Sequence, residues 1–110
     1  MTRSEIIANQ YGDIHWWPDP EVRSHAFVCS VHVNEGQRGK GHGTRLMLQL
    51  AQHLWKRRFW TIELDNCSDP KSLFYERLGF TYLDQHDNAM TVKTKHLIEC
   101  CSKLVLAHVR

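Results

Sequence analysis

The sequence lacks any long apolar run, has only three prolines, and carries no marked excess of either charge. A membrane-spanning helix needs roughly 20 consecutive apolar residues, and no stretch approaches that. The opening MTRSEIIANQ has no apolar centre of the kind a secretory signal requires, so a cytoplasmic protein is expected. A formal net charge of +2 is too weak to argue for a nucleic-acid partner. Basic residues do gather at Arg38, Lys40 and Arg45 and again at Lys56, Arg57 and Arg58, but the second run closes a predicted helix, where positive charge is ordinary. The four cysteines, Cys29, Cys67, Cys100 and Cys101, form no CxxC pair. Adjacent Cys100 and Cys101 suit neither a disulfide framework nor a zinc site, so reduced thiols and no metal are expected. Eight histidines are present, yet none falls into an HxxxH spacing.

A chain of 110 residues fits one domain, residues 1–110, able to bury a real core. The segment through Gly12 carries no clear pattern. Ile14–Trp17 reads as a short strand, and Pro18-Asp19-Pro20-Glu21 as a turn. Val22–Val33 reads as a long strand. In it Ala26, Val28 and Ser30 alternate with Phe27, Cys29 and Val31, which predicts burial on both faces and a central place in a sheet. The clearest helix runs from about Thr44 to Arg57, with Leu46, Met47, Leu50, Leu54 and Trp55 on one stripe. Trp60–Asp65 reads as a second buried strand, with Ile62 and Leu64 inward and Glu63 on the other face. Ser68-Asp69-Pro70 is a helix start, and that helix stops at Gly79. Phe80–Leu83 and Ala89–Lys93 form a hairpin around a polar turn. The tail, Lys95–Arg110, can form a helix with Leu97, Cys101, Leu104 and His108 on one stripe. Strand, helix, strand implies a parallel pair with a right-handed crossover. The expected class is therefore α/β or α+β, a mixed sheet flanked by helices.

Between the first long strand and the first helix lie Gly36, Gly39, Gly41 and Gly43. Glycines let backbone take positive φ and approach a bulky anion. A helix N-terminus adds outward N–H groups and a partial positive charge. The two together suit a di- or polyphosphate. The spacing is neither a Walker A loop nor GxGxxG.

Arg38-Gly39-Lys40-Gly41-His42-Gly43 resembles the acyl-CoA motif [Q/R]xxGx[G/A] of the GNAT acetyltransferase superfamily. Phe74-Tyr75-Glu76-Arg77-Leu78-Gly79-Phe80 resembles that superfamily's second signature. The resemblance covers Ala26 to Phe80. It implies acetyl-CoA as co-substrate, with the pyrophosphate held by backbone amides of Arg38, Gly39, Lys40, Gly41, His42, Gly43 and Thr44. It implies that Val31, His32 and Val33 hydrogen-bond the pantetheine, and that Tyr75 both meets the cofactor and protonates the departing thiolate. For the base it leaves two alternatives open, Glu63 and His25. Two positions depart from the pattern: Glu35 stands where proline is frequent, and Ser68 where an asparagine that meets the cofactor is frequent, with Asn66 two residues earlier.

The resemblance implies an N-acetyltransferase acting on a primary amine, with a catalytically inactive acetyl-CoA-binding regulator as the alternative. It also implies a front end shortened by comparison with the family, an open acceptor side, and a homodimer that covers an apolar face. The tail helix is a second candidate for that cover. No membrane partner and no nucleic acid are expected.

Overall fold

The computed structural model describes residues 5–36, 39–64, 72–84 and 87–108. Its framework is a six-stranded sheet in the order β1-β2-β3-β4-β6-β5. The elements in chain order are β1 (Glu5–Asn9), β2 (Gly12–Pro18), β3 (His25–Val33), α1 (His42–Lys56), β4 (Thr61–Leu64), α2 (Ser72–Arg77), β5 (Thr81–Asp84), β6 (Asp87–Lys93) and α3 (Thr94–His108). β3 and β4 run parallel, joined across α1, and every other neighbouring pair is antiparallel.

β3 is central, as its apolar content predicts, but it is not buried on both faces. Ala26 and Val28 point into the core, Cys29 is exposed, and then Val31 is buried again. A bulge produces this change of phase. Trp16 of β2 pairs with Val28 while His15 pairs with Ser30, so Cys29 is the extra residue. Without the bulge, the alternation that buries Val28 would turn Val31 to the other face. β3 also starts later than its composition suggests, at His25, since Val22 and Arg23 lie in the preceding turn. At the other end of the chain, Glu5–Asn9 pairs with β2 as an edge strand, in a segment whose sequence pattern predicts no element.

All three helices share one face. Leu46, Met47, Leu50, Ala51 and Leu54 of α1, Tyr75 and Leu78 near α2, and Leu97 and Cys101 of α3 join Ile14, Trp16, Ala26, Val28, Ile62 and Leu64 of the sheet in one buried cluster. Ala51 takes the place on the α1 stripe that periodicity gives to Trp55, which is exposed against Trp60. The tail helix does form. It lies beside α1 rather than over the opposite face of the sheet, and its Leu104 is exposed. Among the described residues no helix covers the opposite face, where Trp17 stacks on Phe27.

Both long turns out of helices use the same device. After α1, Phe59 N–H donates to the Leu54 carbonyl at 2.9 Å and Arg58 N–H to Trp55 at 3.1 Å. After α2, Phe80 N–H donates to the Tyr75 carbonyl at 3.1 Å and Gly79 N–H to Glu76 at 3.0 Å. This pairing needs a left-handed residue between them. Gly79 supplies it with φ 94°, and Arg58 supplies it with φ 67°.

Candidate active site

The glycine-rich loop reaches α1 as its sequence predicts. Gly36, Gly39 and Gly41 all have positive φ, near 80°. Gly41 ends the loop as the N-cap and offers no side chain to the helix, and the Arg45 N–H donates to the Gly41 carbonyl at 3.1 Å. His42, Gly43 and Thr44 therefore open the helix, with their N–H groups directed toward the loop as in any first turn. No acidic residue stands in that turn, so nothing there opposes an incoming anion. Among the described residues, a Cβ on Gly36 or Gly39 would meet no atom within 4 Å, so these glycines serve backbone conformation rather than tight packing there. Lys40 is exposed beside them. Arg38 lies outside the described residues, as do Ser68 and Asn66.

β3 leads into this loop. Its ladder with β4 runs from His25↔Thr61 to Val28↔Leu64. Beyond that point β3 continues to Val33 beside β2, among the described strands. Val31, His32 and Val33, assigned to the pantetheine by resemblance, sit in this continuation. Val31 is buried, His32 exposed and Val33 half-buried.

α2 closes the site from the helix side. A Cβ on Gly43 would lie 3.3 Å from the Phe74 ring and 3.6 Å from Val33, so α2 abuts the start of α1 and the end of β3. Tyr75 follows Phe74 and is 4% exposed, edge-on to both Phe74 and Phe80.

The two alternatives for the base are not rivals in space. His25 Nε2 lies 3.0 Å from Glu63 Oε1, and His25 Nδ1 lies 2.6 Å from Thr61 Oγ1. Parallel pairing explains the contact. His25 stands opposite Thr61 and Phe27 opposite Glu63, so all four side chains share the face away from the helices. His25 and Glu63 are 16% and 21% exposed, shielded but reachable. Phe27 stands edge-on to the imidazole at 5.0 Å and fixes its plane. A carboxylate only accepts, so Nε2 carries the hydrogen and Nδ1 takes the Thr61 hydroxyl. Both ring nitrogens are therefore engaged, Nε2 with Glu63 and Nδ1 with the Thr61 hydroxyl, whose hydrogen must swing away before Nδ1 can take a proton. Thr61 is the member of this group that sequence patterning passes over; a strand alignment of His25 with Thr61 was the signal that could have found it. Tyr75 stands with the helix layer, apart from this triad on the opposite face.

A mixed sheet whose parallel pair ends beside a glycine-rich helix start is the architecture of an acetyltransferase-type α/β domain. The comparisons with known proteins agree. The family described as "Acetyltransferase (GNAT) domain" matches residues 3–82, and the chain belongs to that family. No curated protein matches it. Among solved structures, Gcn5 from Tetrahymena superposes with a TM-score of 0.67 at 18% identity, covering 83% of this chain and 67% of that one. An acetyltransferase from Bacillus cereus gives 0.66 at 17% identity, covering 84% and 73%. AtaT in its DNA-bound complex with AtaR gives 0.70 at 17% identity, covering 96% and 72%. At these identities the likeness speaks for the fold.

Proposed function

We propose that the protein is an N-acetyltransferase that moves the acetyl group of acetyl-CoA onto a primary amine by direct attack. The observation that carries this reading is the loop from Gly36 to Gly41. It is left-handed at three glycines, open at two of them, and runs into an α-helix with no acid in its first turn. That combination fits a pyrophosphate: backbone N–H groups at the helix start converge on it, and no side chain at Gly36 or Gly39 stands in the way. The amides from Gly39 to Thr44 would hold it, with Arg38 and Lys40 adding charge. The continuation of β3 past Val28 would receive the pantetheine arm.

The side chains are assigned the following chemistry. An ammonium must lose a proton before its nitrogen can attack. His25 takes that proton at Nδ1 as the Thr61 hydroxyl turns its own hydrogen away, and Glu63 holds the ring by its Nε2–H. The amine nitrogen bonds to the acetyl carbon and gives up its second proton to solvent, the carbon–sulfur bond breaks, and the electron pair leaves on sulfur. Tyr75 gives its phenolic proton to that thiolate and recovers one from solvent.

The test is release of free CoA, followed with a thiol reagent over a panel of primary amines. Tyr75→Phe is expected to lower kcat on the order of 100-fold, the usual scale for a general acid, with acetyl-CoA affinity unchanged. Glu63→Gln keeps the shape but removes the charge and is expected to lower kcat about tenfold. Full turnover in Tyr75→Phe would remove Tyr75 from the mechanism. Acetyl-CoA binding without turnover against every amine would favour a non-catalytic regulator.

A further inference from the structure

The turn between β1 and β2 touches both ends of the glycine-rich loop, although it lies far from that loop in sequence. At the loop's start, the Asn34 N–H donates to the Tyr11 carbonyl at 2.7 Å, and the Asn34 side-chain amide donates to the Gln10 carbonyl at 3.1 Å. At the loop's end, the Tyr11 ring lies flat on the His42 imidazole, with centroids 3.7 Å apart and planes within 12°. The turn is itself fixed. The Tyr11 N–H donates to Asn9 Oδ1 at 2.8 Å. Gly12 comes so close to β3 that a Cβ there would stand 2.0 Å from the His32 carbonyl oxygen.

We propose that Tyr11 is a positioning residue for the cofactor's pyrophosphate, bracing the anion-binding turn from outside the motif. This rests on the acetyl-CoA reading above. The physical need is plain. Gly36, Gly39 and Gly41 give the loop its left-handed shape but also the widest backbone freedom, and at Gly36 and Gly39 no atom of the described residues lies within 4 Å of where a Cβ would stand. Ordering such a loop when a ligand arrives costs conformational entropy, which weakens binding. His42 is the first residue of α1, directly after Gly41. An aromatic plane laid on its ring fixes where that helix start sits, and the Asn34 bonds fix where the loop begins. The sheet hairpin thus supplies the rigidity that the motif's glycines lack.

The stack needs a flat ring and does not need the phenolic hydroxyl, so Tyr11→Phe and Tyr11→Leu separate the two. Acetyl-CoA and S-acetylpantetheine, which has no pyrophosphate, separate positioning of the phosphates from general damage. Calorimetry of Tyr11→Leu is expected to give an acetyl-CoA Kd about tenfold weaker, the scale of one aromatic contact. Its KM for acetyl-CoA should rise in step with kcat unchanged, while kcat/KM for S-acetylpantetheine stays at the wild-type value. Tyr11→Phe should restore wild-type binding. If Tyr11→Leu melts below the assay temperature, Tyr11→Met, of similar bulk and no flat ring, takes its place. Wild-type acetyl-CoA affinity in the Leu variant overturns the proposal. So does an equal loss with S-acetylpantetheine, which would mark Tyr11 as merely structural. A wild-type protein that binds no acetyl-CoA would instead defeat the underlying reading, and this inference with it.

Discussion

Gly79 and Arg58 occupy the same backbone position in two helix ends, and the pair offers a controlled experiment on the segment that carries Tyr75. Gly79→Ala has two costs. The left-handed conformation, φ 94°, disfavours any Cβ by about 1–2 kcal/mol. The new Cβ would also lie 2.6 Å from the His96 ring and 3.1 Å from Cys100 Sγ, an overpacking worth about 1–3 kcal/mol. A total of about 3 kcal/mol at this chain length corresponds to a fall in Tm of roughly 12 °C. The clash, unlike the strain, has a removable partner. His96→Ala in the Gly79→Ala background should therefore recover about half the loss, whereas His96→Ala alone should cost little because His96 is exposed. At Arg58 the same logic runs in reverse: φ is 67° and the residue is exposed. Arg58→Gly should relieve strain and raise Tm by a few degrees, after the greater freedom of glycine in the unfolded chain offsets part of the gain. Thermal melts of the four variants decide the matter. An unchanged Tm in Gly79→Ala, or a loss that His96→Ala does not reduce, would refute the reasoning.

Two other outcomes follow from the buried groups. Burial, with a smaller contribution from neighbouring Cys100, pushes the Cys101 thiol up from 9.0 to about 12. Because the folded value is raised, the stability tied to the protonated thiol is fully present below pH 9 and is lost as pH rises from 9 toward 12. Chemical denaturation should show that decline, and Cys101→Ala, though less stable throughout, should show a shallower one. Arg57 bonds both Glu5 carboxylate oxygens at 3.0 Å and lies over the Trp16 and Phe59 rings at 5.3 and 5.6 Å. Arg57→Lys loses the guanidinium plane that lies over the two rings, and should lower stability by about 1 kcal/mol in urea unfolding.

Much of this fold is legible from local pattern because its signals are local. The helical stripe of Leu46, Met47, Leu50 and Leu54 and the glycines before it identify the strand–loop–helix unit without reference to any other segment. Gly79, after Leu78, marks the helix stop for the same reason. What escapes the pattern depends on register between segments. The Cys29 bulge appears only when β2 is laid against β3. The alternation through Ser30 therefore predicts two buried faces where there is one. The short Glu5–Asn9 strand is specified by its pairing to β2 rather than by its own composition. The tail helix is readable as a helix, but its stripe cannot say which face of the sheet it meets. Leu97 and Cys101 are buried beside α1, while Leu104 stays exposed. In the site, the glycine loop is visible as a motif. The contact between His25 and Glu63 is not, because it follows from one parallel register bringing residues far apart in sequence onto one face. The Tyr11–His42 stack is likewise a meeting of two turns that neither sequence announces.

The most direct test of the account is calorimetric titration of the protein with acetyl-CoA, beside a Gly41→Glu variant whose fold is verified by circular dichroism. Gly41 is the left-handed N-cap at the loop's end, and a carboxylate there puts negative charge where the pyrophosphate is assigned. Measurable binding by the wild type and none by the folded variant is the expected result. Absence of binding by the wild type, or equal binding by both, would contradict it.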